Sequence, residues 1–329
     1  MKKNKIVSLA GYLSLSLISL IAIEASQNMP RIIDFATQKF PKLTNKAKEV
    51  VGQIRETIDY EEMVITSPPT PPSKLEKKVE SFIQEERKKD HVLEDERTAW
   101  FVYDLSAQEK VVSINEDLPL QAASMIKPFV ALAFYHLEKQ GKLIYGKTSR
   151  KKMEEMIQKS NNKSTNWVME KIGGPREVEE ILEENYPQIF KNIRIREYIP
   201  KGGGTYQNKA SAGDYGRFLQ ALWDNQLPKS DELKRLMNLP GRDRLYSGVS
   251  NIPYGTEVYN KTGTTAHLIG DMGIISAQTE EGKEKQYALI GIIEKENKIK
   301  DQGKLKRWYN SRSNLIRRVS GIVYANLED

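Results

Sequence analysis

The hydrophobic pattern divides the chain into three regions of unlike character. From Ile6 to Ile23 it is almost wholly apolar, broken only by Ser, Gly and Tyr, and Lys2, Lys3 and Lys5 precede the run. A basic start followed by such a run predicts an export signal, and its length is close to the lower limit for crossing a bilayer. Cleavage after Ala25 and retention as an inner-membrane anchor are both open. Either way the rest of the chain is expected to be periplasmic or otherwise extracytoplasmic, secreted or tethered. Residues from Pro30 to about Ile65 read as a polar, partly amphipathic helical stalk. Pro68, Pro69, Pro71 and Pro72 then favour extended polyproline II, a semi-rigid spacer. The expected organisation is a signal or anchor over 1–25, a stalk and linker over 26–73, and a globular domain over 74–329.

In the third region Leu75, Val79, Phe82 and Ile83 recur at helical spacing, predicting a helix from Lys74 to about Lys89. Thr98 to Leu105 and Lys110 to Ile114 read as a strand pair joined by a polar turn. The continuous apolar run Phe129 to Phe134 predicts a helix buried on most sides. Arg150 to Lys159, Ser164 to Ile172 and Pro175 to Asn185 read as short helices, with Gly173 and Gly174 ending the second. Tyr186 to Asn208 reads as a long loop carrying Gly202, Gly203 and Gly204, a length that marks a functional or mobile segment. Ala210 to Trp223 and Asp231 to Met237 are helical again. Thr256 to Thr262, His267 to Ala277 and Gln286 to Glu294 are strand-like, and a basic helix from about Lys304 to Ala325 follows. This order predicts a mixed α/β (α+β) fold. Both strand groups join in one antiparallel sheet, the terminal helices cover one face, and the central helices form an all-α subdomain with a cleft between.

Composition narrows the function. In 329 residues the hydrophobic content of 39% suffices for a packed core, and the net charge of +7 is spread through mixed-sign helices. That distribution argues against nucleic-acid binding. Attraction to anionic lipid or acidic wall polymer fits the charge but is unspecific. The chain has no cysteine, which excludes disulfides, thiolate metal sites and a lipoprotein cysteine.

The candidate chemistry begins at Ser124-Met125-Ile126-Lys127. A serine and a lysine three residues apart share a helix face, and an uncharged lysine there would accept the serine's proton. Pro128 fits only if the helix has just begun, which sets the serine at its positive end. Ser160-Asn161-Asn162 lies between two helices, and Lys261-Thr262-Gly263-Thr264-Thr265 on or at the end of a strand. Each motif alone is common. The order Ser-x-x-Lys, Ser-x-Asn, Lys-Thr-Gly in an exported chain is not. Gly141 to Thr148 formally matches a phosphate-binding P-loop, but a helix precedes it and Leu143, Ile144 and Tyr145 fill it with bulk. His91, His136 and His267 are too scattered for a metal site. The scheme calls for no metal and no cofactor.

With these motifs in place, the sequence resembles the class A β-lactamase-like serine hydrolases over most of Lys74 to Asp329. The runs Ile172-Gly173-Gly174-Pro175, Ala210 to Tyr215, and Gly270-Asp271 add to the likeness. The resemblance implies an α-helical subdomain against an α/β/α sandwich whose sheet has five antiparallel strands, and acyl transfer through an acyl-serine. Ser124 would attack the carbonyl of a β-lactam or of a peptidoglycan D-alanyl-D-alanine amide, with Lys127 as proton acceptor and Ser160 as relay to the leaving nitrogen. Asn162 would hold the substrate's side-chain amide. Lys261 and Thr262 would bind its carboxylate, and Gly263 would clear space for substrate along the strand. The N–H groups of Ser124 and Thr264 would form the oxyanion hole. One departure stands out. The Glu-x-x-Leu-Asn element, whose glutamate activates the deacylating water, has no counterpart in Ile193 to Pro200. Glu197 lies at about the right distance without its partners. Slow deacylation is therefore expected, and with it three readings: a weak β-lactamase, a D-alanyl-D-alanine carboxypeptidase or endopeptidase, or a non-hydrolytic penicillin-binding sensor.

Overall fold

A five-stranded antiparallel sheet in the order β2-β1-β7-β6-β5 carries the rest of the molecule. Its strands are β1 (Glu96–Asp104), β2 (Glu109–Ile114), β5 (Glu257–Thr264), β6 (Leu268–Gln278) and β7 (Glu284–Lys295). The first pair and the last three strands thus join in one sheet, with β1 paired to β7. The computed structural model describes residues 71–279 and 282–327. The expected signal or anchor over 1–25, and the stalk and linker over 26–73 except its last three residues, lie outside the described residues. Among those described, no helix is long and apolar enough to cross a membrane.

Side chains alternate along β1, so Trp100 and Val102 face one layer and Ala99 and Phe101 the other. On the first face pack α1 (Lys74–Lys88) and the terminal helix α8 (Gln302–Asn326). Ser73 caps α1 by accepting the Glu76 N–H at 2.9 Å, and Leu75, Val79 and Ile83 form its buried stripe. Asp301 caps α8, whose Leu305, Trp308, Leu315, Ile316, Val319 and Val323 reach the same core. On the second face lie α2 (Lys127–Lys139), α3 (Lys147–Ile157), α4 (Asn162–Ile172), α5 (Pro175–Asn185), α6 (Ala212–Trp223) and α7 (Ser230–Asn238). Of α2, ten residues are buried, including the whole run Phe129 to Tyr135, so it is the axis of the helical layer.

Two short strands, β3 (Leu120–Gln121) and β4 (Lys209–Ala210), pair antiparallel beside the site and have no sequence signature at two residues each. The P-loop look-alike is a helix–turn–helix join, with α2 before it and α3 starting at Lys147, so no strand feeds it.

The loop from Tyr186 to Asn208 has its backbone satisfied by side chains instead of a ladder. Asp214 accepts the N–H groups of Lys191 and Asn192 while completing the capping box of α6. Asn208 accepts from Arg196 and Glu197 and donates to the Glu197 carbonyl. Asn166 clamps Ile199 from both sides, accepting its N–H and donating to its carbonyl, each at 2.9 Å.

The sheet is tied to α8 by a buried ion pair. Glu96 on β1 accepts from Arg312 Nε at 3.0 Å and pairs with its NH2 at 2.8 Å, and it also accepts the Trp308 indole N–H. Arg312→Met strands the Glu96 carboxylate away from water, and a loss of about 3–5 kcal/mol is expected. In a thermal melt the single variant unfolds well below wild type, and adding Glu96→Gln restores much of the difference.

Candidate active site

Several anchors deliver the chain to Ser124. Glu294 accepts the Gln121 N–H at 2.9 Å, and the Asn208 carbonyl accepts the Ala122 N–H at 2.9 Å. A single 3-10 turn, Ala123–Ile126, follows, and α2 opens at Lys127. The serine and lysine therefore do not share one turn of α-helix. They stay on one face because residues i and i+3 eclipse in a 3-10 turn, closed here by the Lys127 N–H to the Ser124 carbonyl. Pro128 follows in the first turn of α2, where no N–H is needed. Ala123 enters the turn at φ 46°, left-handed backbone that costs a non-glycine residue about 1–3 kcal/mol.

Packing on the sheet offsets that strain. Gly263 of β5 and Gly270 of β6 are cross-strand partners. A Cβ on Gly263 would stand 2.9 Å from Met125 Cγ and 3.2 Å from Ala123 Cβ, and one on Gly270 would stand 2.8 Å from Met125 Cε. The paired glycines form a slot for Met125 and seat the nucleophile turn directly on the strands. This corrects the sequence expectation for Gly263. Its missing side chain makes room for the turn, and Gly263 itself does not face the cleft.

Lys127 has no exposed surface. Its Nζ lies 2.7 Å from the Ser160 carbonyl, 3.0 Å from Ser160 Oγ and 2.9 Å from Asn162 Oδ1. Burial, aided by the positive charge of Lys261, lowers its pKa to about 6. A neutral amine has two N–H donors and one lone pair. The carbonyl and the amide oxygen can only accept, so the lone pair is left for the Ser160 hydroxyl hydrogen. The serine that presents this hydroxyl is itself in the left-handed region, φ 53°. Asn161, next to it, caps α4 by accepting the Ser164 N–H at 3.0 Å. Asn162 is then the first residue of α4, which is why the motif ends a turn and begins a helix.

The edge strand β5 supplies the facing wall. Thr265 and Leu268 exchange both backbone hydrogen bonds, so the alternation of an antiparallel ladder turns the Thr264 N–H outward from the sheet. Lys261 is buried and donates to the Thr262 carbonyl at 3.0 Å. Burial lowers its pKa to about 8, with Asp271 opposing and Arg244 reinforcing that fall. Asp271, fully buried, is itself raised to about 6 by burial, against the pull of Arg244 and of the Asn260 amide.

Ser124, Ser160 and Thr264 line two cavities that meet at the serine. The first, about 450 Å³, adds Lys261, Thr262 and Arg242; the second, about 710 Å³, adds Asn162 and the glycine loop. Ser124, Ser160, Asn162, Lys261, Thr262 and Thr264 therefore face one cleft, with Lys127 buried behind its wall and Gly263 turned away from it. Neither cavity is lined by an Asp, a Glu or a His. Glu197 points elsewhere: its Oε1 accepts the N–H groups of Tyr206 at 2.6 Å and Gln207 at 2.8 Å, closing the loop on itself. The loop residue clamped beside Pro200, which does line the second cavity, is Ile199.

Sequence reasoning missed Arg242 and Arg244. Arg244 donates to Thr264 Oγ1 at 2.8 Å, to the Gly270 carbonyl at 2.9 Å and to Ser313 Oγ at 3.0 Å. Both arginines sit in irregular backbone between α7 and β5, where no periodicity points to them. Asn166 had a weak signal, standing four residues after Asn162 on the same helix. The histidines have partners away from the cleft: His136 bonds Tyr186 and Gln140, His267 the Lys295 carbonyl, His91 Glu86. Among the described residues no cluster of His, Asp and Glu could hold a metal ion.

A cleft shared by Ser124 and Ser160, the latter bonded to a buried, largely neutral amine, at the edge of an antiparallel sheet flanked by helices, defines a serine hydrolase working through an acyl-enzyme. The model of the β-lactamase enzyme family matches residues 75–151 and 145–327, and the chain belongs to that family. Among solved structures, PBP-A is 20% identical with a TM-score of 0.62, covering 78% of this chain and 98% of that one. A PBP-A mutant held as an acyl-enzyme with penicillin G gives 20% and 0.61, covering 78% and 99%. The extended-spectrum β-lactamase TLA-1 is 16% identical with a TM-score of 0.61, covering 77% and 98%. A β-lactamase from Chitinophaga pinensis is 14% identical with a TM-score of 0.61, covering 77% and 99%. No curated protein sequence matches the chain.

The glycine slot yields a direct test. Gly263→Ala overpacks it and is expected to lower stability by about 1–3 kcal/mol in chemical denaturation. Combining it with Met125→Ala relieves the clash, so the double variant is less destabilised than the sum of the single ones.

Proposed function

We propose that this protein is an exported serine hydrolase that is acylated by β-lactams at Ser124 and releases the acyl group slowly. The observation that carries the reading is the lysine: Lys127 is buried, has its pKa lowered to about 6, and is bonded to Ser160 and Asn162 beside the nucleophile. In this reading Ser124 Oγ attacks the carbonyl carbon while its proton passes to neutral Lys127, whose lone pair turns to it from the Ser160 hydroxyl. The tetrahedral oxyanion is held by the Ser124 and Thr264 N–H groups. As the C–N bond breaks, Ser160 gives a proton to the leaving nitrogen and regains one from Lys127. Lys261, Thr262 and Arg242 bind the carboxylate on the leaving side. Water then has to attack the ester, and the absence of any carboxylate from the lining of either cavity supports slow release. Export rests on the basic residues and apolar run at the N-terminus, and a retained anchor would tether the enzyme to the membrane.

The extent of the cleft supports a second reading of the natural substrate. It continues past Ser124 on both sides, which suits an extended peptidoglycan stem peptide better than a compact bicyclic lactam. On this reading the enzyme is a D-alanyl-D-alanine carboxypeptidase or endopeptidase for which β-lactams are slow-release inhibitors.

Labelling with a fluorescent penicillin tests the proposal. Wild type is expected to take up label stoichiometrically and keep it long after excess reagent is removed. Ser124→Ala takes none, and Glu197→Gln leaves the lifetime of the label unchanged. Absence of label on wild type, or rapid loss of it, counts against the proposal, and D-alanine release from a stem peptide decides for the peptidase. The pH dependence of acylation follows from two lysines. Lys127 must be neutral, so the rate rises as pH increases through about 6; Lys261 must be charged, so it falls through about 8. A stopped-flow profile with a chromogenic β-lactam should be bell-shaped between these limits. Asp271, which also titrates at about 6, is separated by Asp271→Asn, which should leave the acid limb in place.

A further inference from the structure

The second cavity carries an uncompensated charge that acylation does not use. Lys201, from the loop after Pro200, and Lys298 and Lys300, from the link between β7 and α8, stand on its wall. None of the three forms an ion pair or side-chain hydrogen bond with a described residue. The nearby carboxylates are committed elsewhere: Asp301 caps α8 through the Lys304 N–H, and Glu197 is held by the Tyr206 and Gln207 amides. Tyr206 and Tyr309 line the same cavity, and Tyr309 donates to the Thr265 carbonyl at 3.0 Å. Three like charges converging on a concave wall with no internal counter-ion raise the local potential and attract an anion.

The direction of substrate across the cleft identifies that anion. On the reading proposed above, the carboxylate on the leaving side of the scissile bond sits by Lys261 and Arg242 in the first cavity. The acyl part must then cross Ser124 and enter the second. We infer that the second cavity is an acyl-side subsite selecting substrates with a further carboxylate on the acyl chain, several bonds from the scissile carbonyl. A β-lactam side chain or the side chain of a wall peptide could supply that carboxylate; the chemistry recognised is the same. The tyrosines would pack against the connecting chain, and the lysines would neutralise its end.

A matched pair of penicillins tests this subsite apart from the catalytic reading. The adipamido and hexanamido derivatives of penicillanic acid have acyl chains of equal length that end in a carboxylate and a methyl group. In the full chain, the second-order acylation rate is expected to favour the adipamido compound by about tenfold, the summed effect of three exposed lysines. The preference should shrink when salt is raised from about 0.05 to about 0.5 M. Lys201→Gln, Lys298→Gln and Lys300→Gln together should abolish it while changing hexanamido acylation less than twofold. A ratio that is the same in wild type and the triple variant, with both compounds acylating, overturns the subsite and leaves the hydrolase reading intact. A preference carried entirely into Lys261→Gln also supports the subsite, whereas its disappearance there assigns the effect to the first cavity and overturns it. Acylation by neither compound overturns both readings. A stem peptide with a side-chain carboxylate, set against its amide, distinguishes the source: a triple-variant loss confined to the penicillin pair makes the lactam the ligand.

Discussion

A lysine without access to water holds this active site together. Lys127 opens α2, and its amine ends among the backbone and side chains of the Ser160 to Asn162 turn, which opens α4. The contact joins the nucleophile helix to the neighbouring helix at the level of the reacting groups. Burial of a charged amine without a counter-ion is costly, so the group sheds its proton and becomes a base at neutral pH. Structural role and chemical role therefore have one cause. A charged group held by a carboxylate in the same place would fix the helices equally well but could not accept a proton.

The nucleophile is positioned from the other side by shape. Met125 fills the slot left by Gly263 and Gly270, and this contact fixes the height of Ser124 above the sheet. The left-handed backbone at Ala123 persists because the anchors on Gln121 and Ala122 and the Met125 seat leave the chain no relaxed alternative. The same strand that receives Met125 turns the Thr264 N–H outward. A shift of the seat would thus move the serine relative to Thr264 on β5. The glycine of the Lys-Thr-Gly motif is tied to the geometry of the reaction through the turn it accommodates, not through substrate.

Much of this was legible in the sequence. Strands and helices with strong periodicity, such as the Leu75 to Ile83 stripe and the apolar run of α2, appear within a few residues of where their spacing places them. The three motifs were legible because each joins a chemical group to a local backbone requirement: Pro128 in a first helical turn, Asn161 as a cap, Lys261 on an edge strand. What stayed hidden depends on residues far apart in the chain. Nothing local shows that Gly263 faces Met125, that Asn208 and Asn166 fold the loop from Tyr186 onward, or that Arg244 reaches Thr264. Glu197 illustrates the limit. Sequence distance made it a candidate base, whereas two backbone amides nine and ten residues away had claimed its carboxylate.

Charge links binding to turnover in this cleft. Its lining includes Lys261, Arg242, Lys201, Lys298 and Lys300 and no carboxylate. Cationic walls favour capture of an anionic substrate. The same walls supply no general base for water once the acyl group is in place. A carboxylate introduced to activate water would lie among those lysines, which would hold it ionised and favour its pairing with them over proton abstraction. If release is slow as proposed, adding a glutamate alone would then not make an efficient lactamase; its surroundings would have to become less positive as well. On the proposed reading, the composition of the cleft favours capture over release through electrostatics that act on every anionic acyl donor.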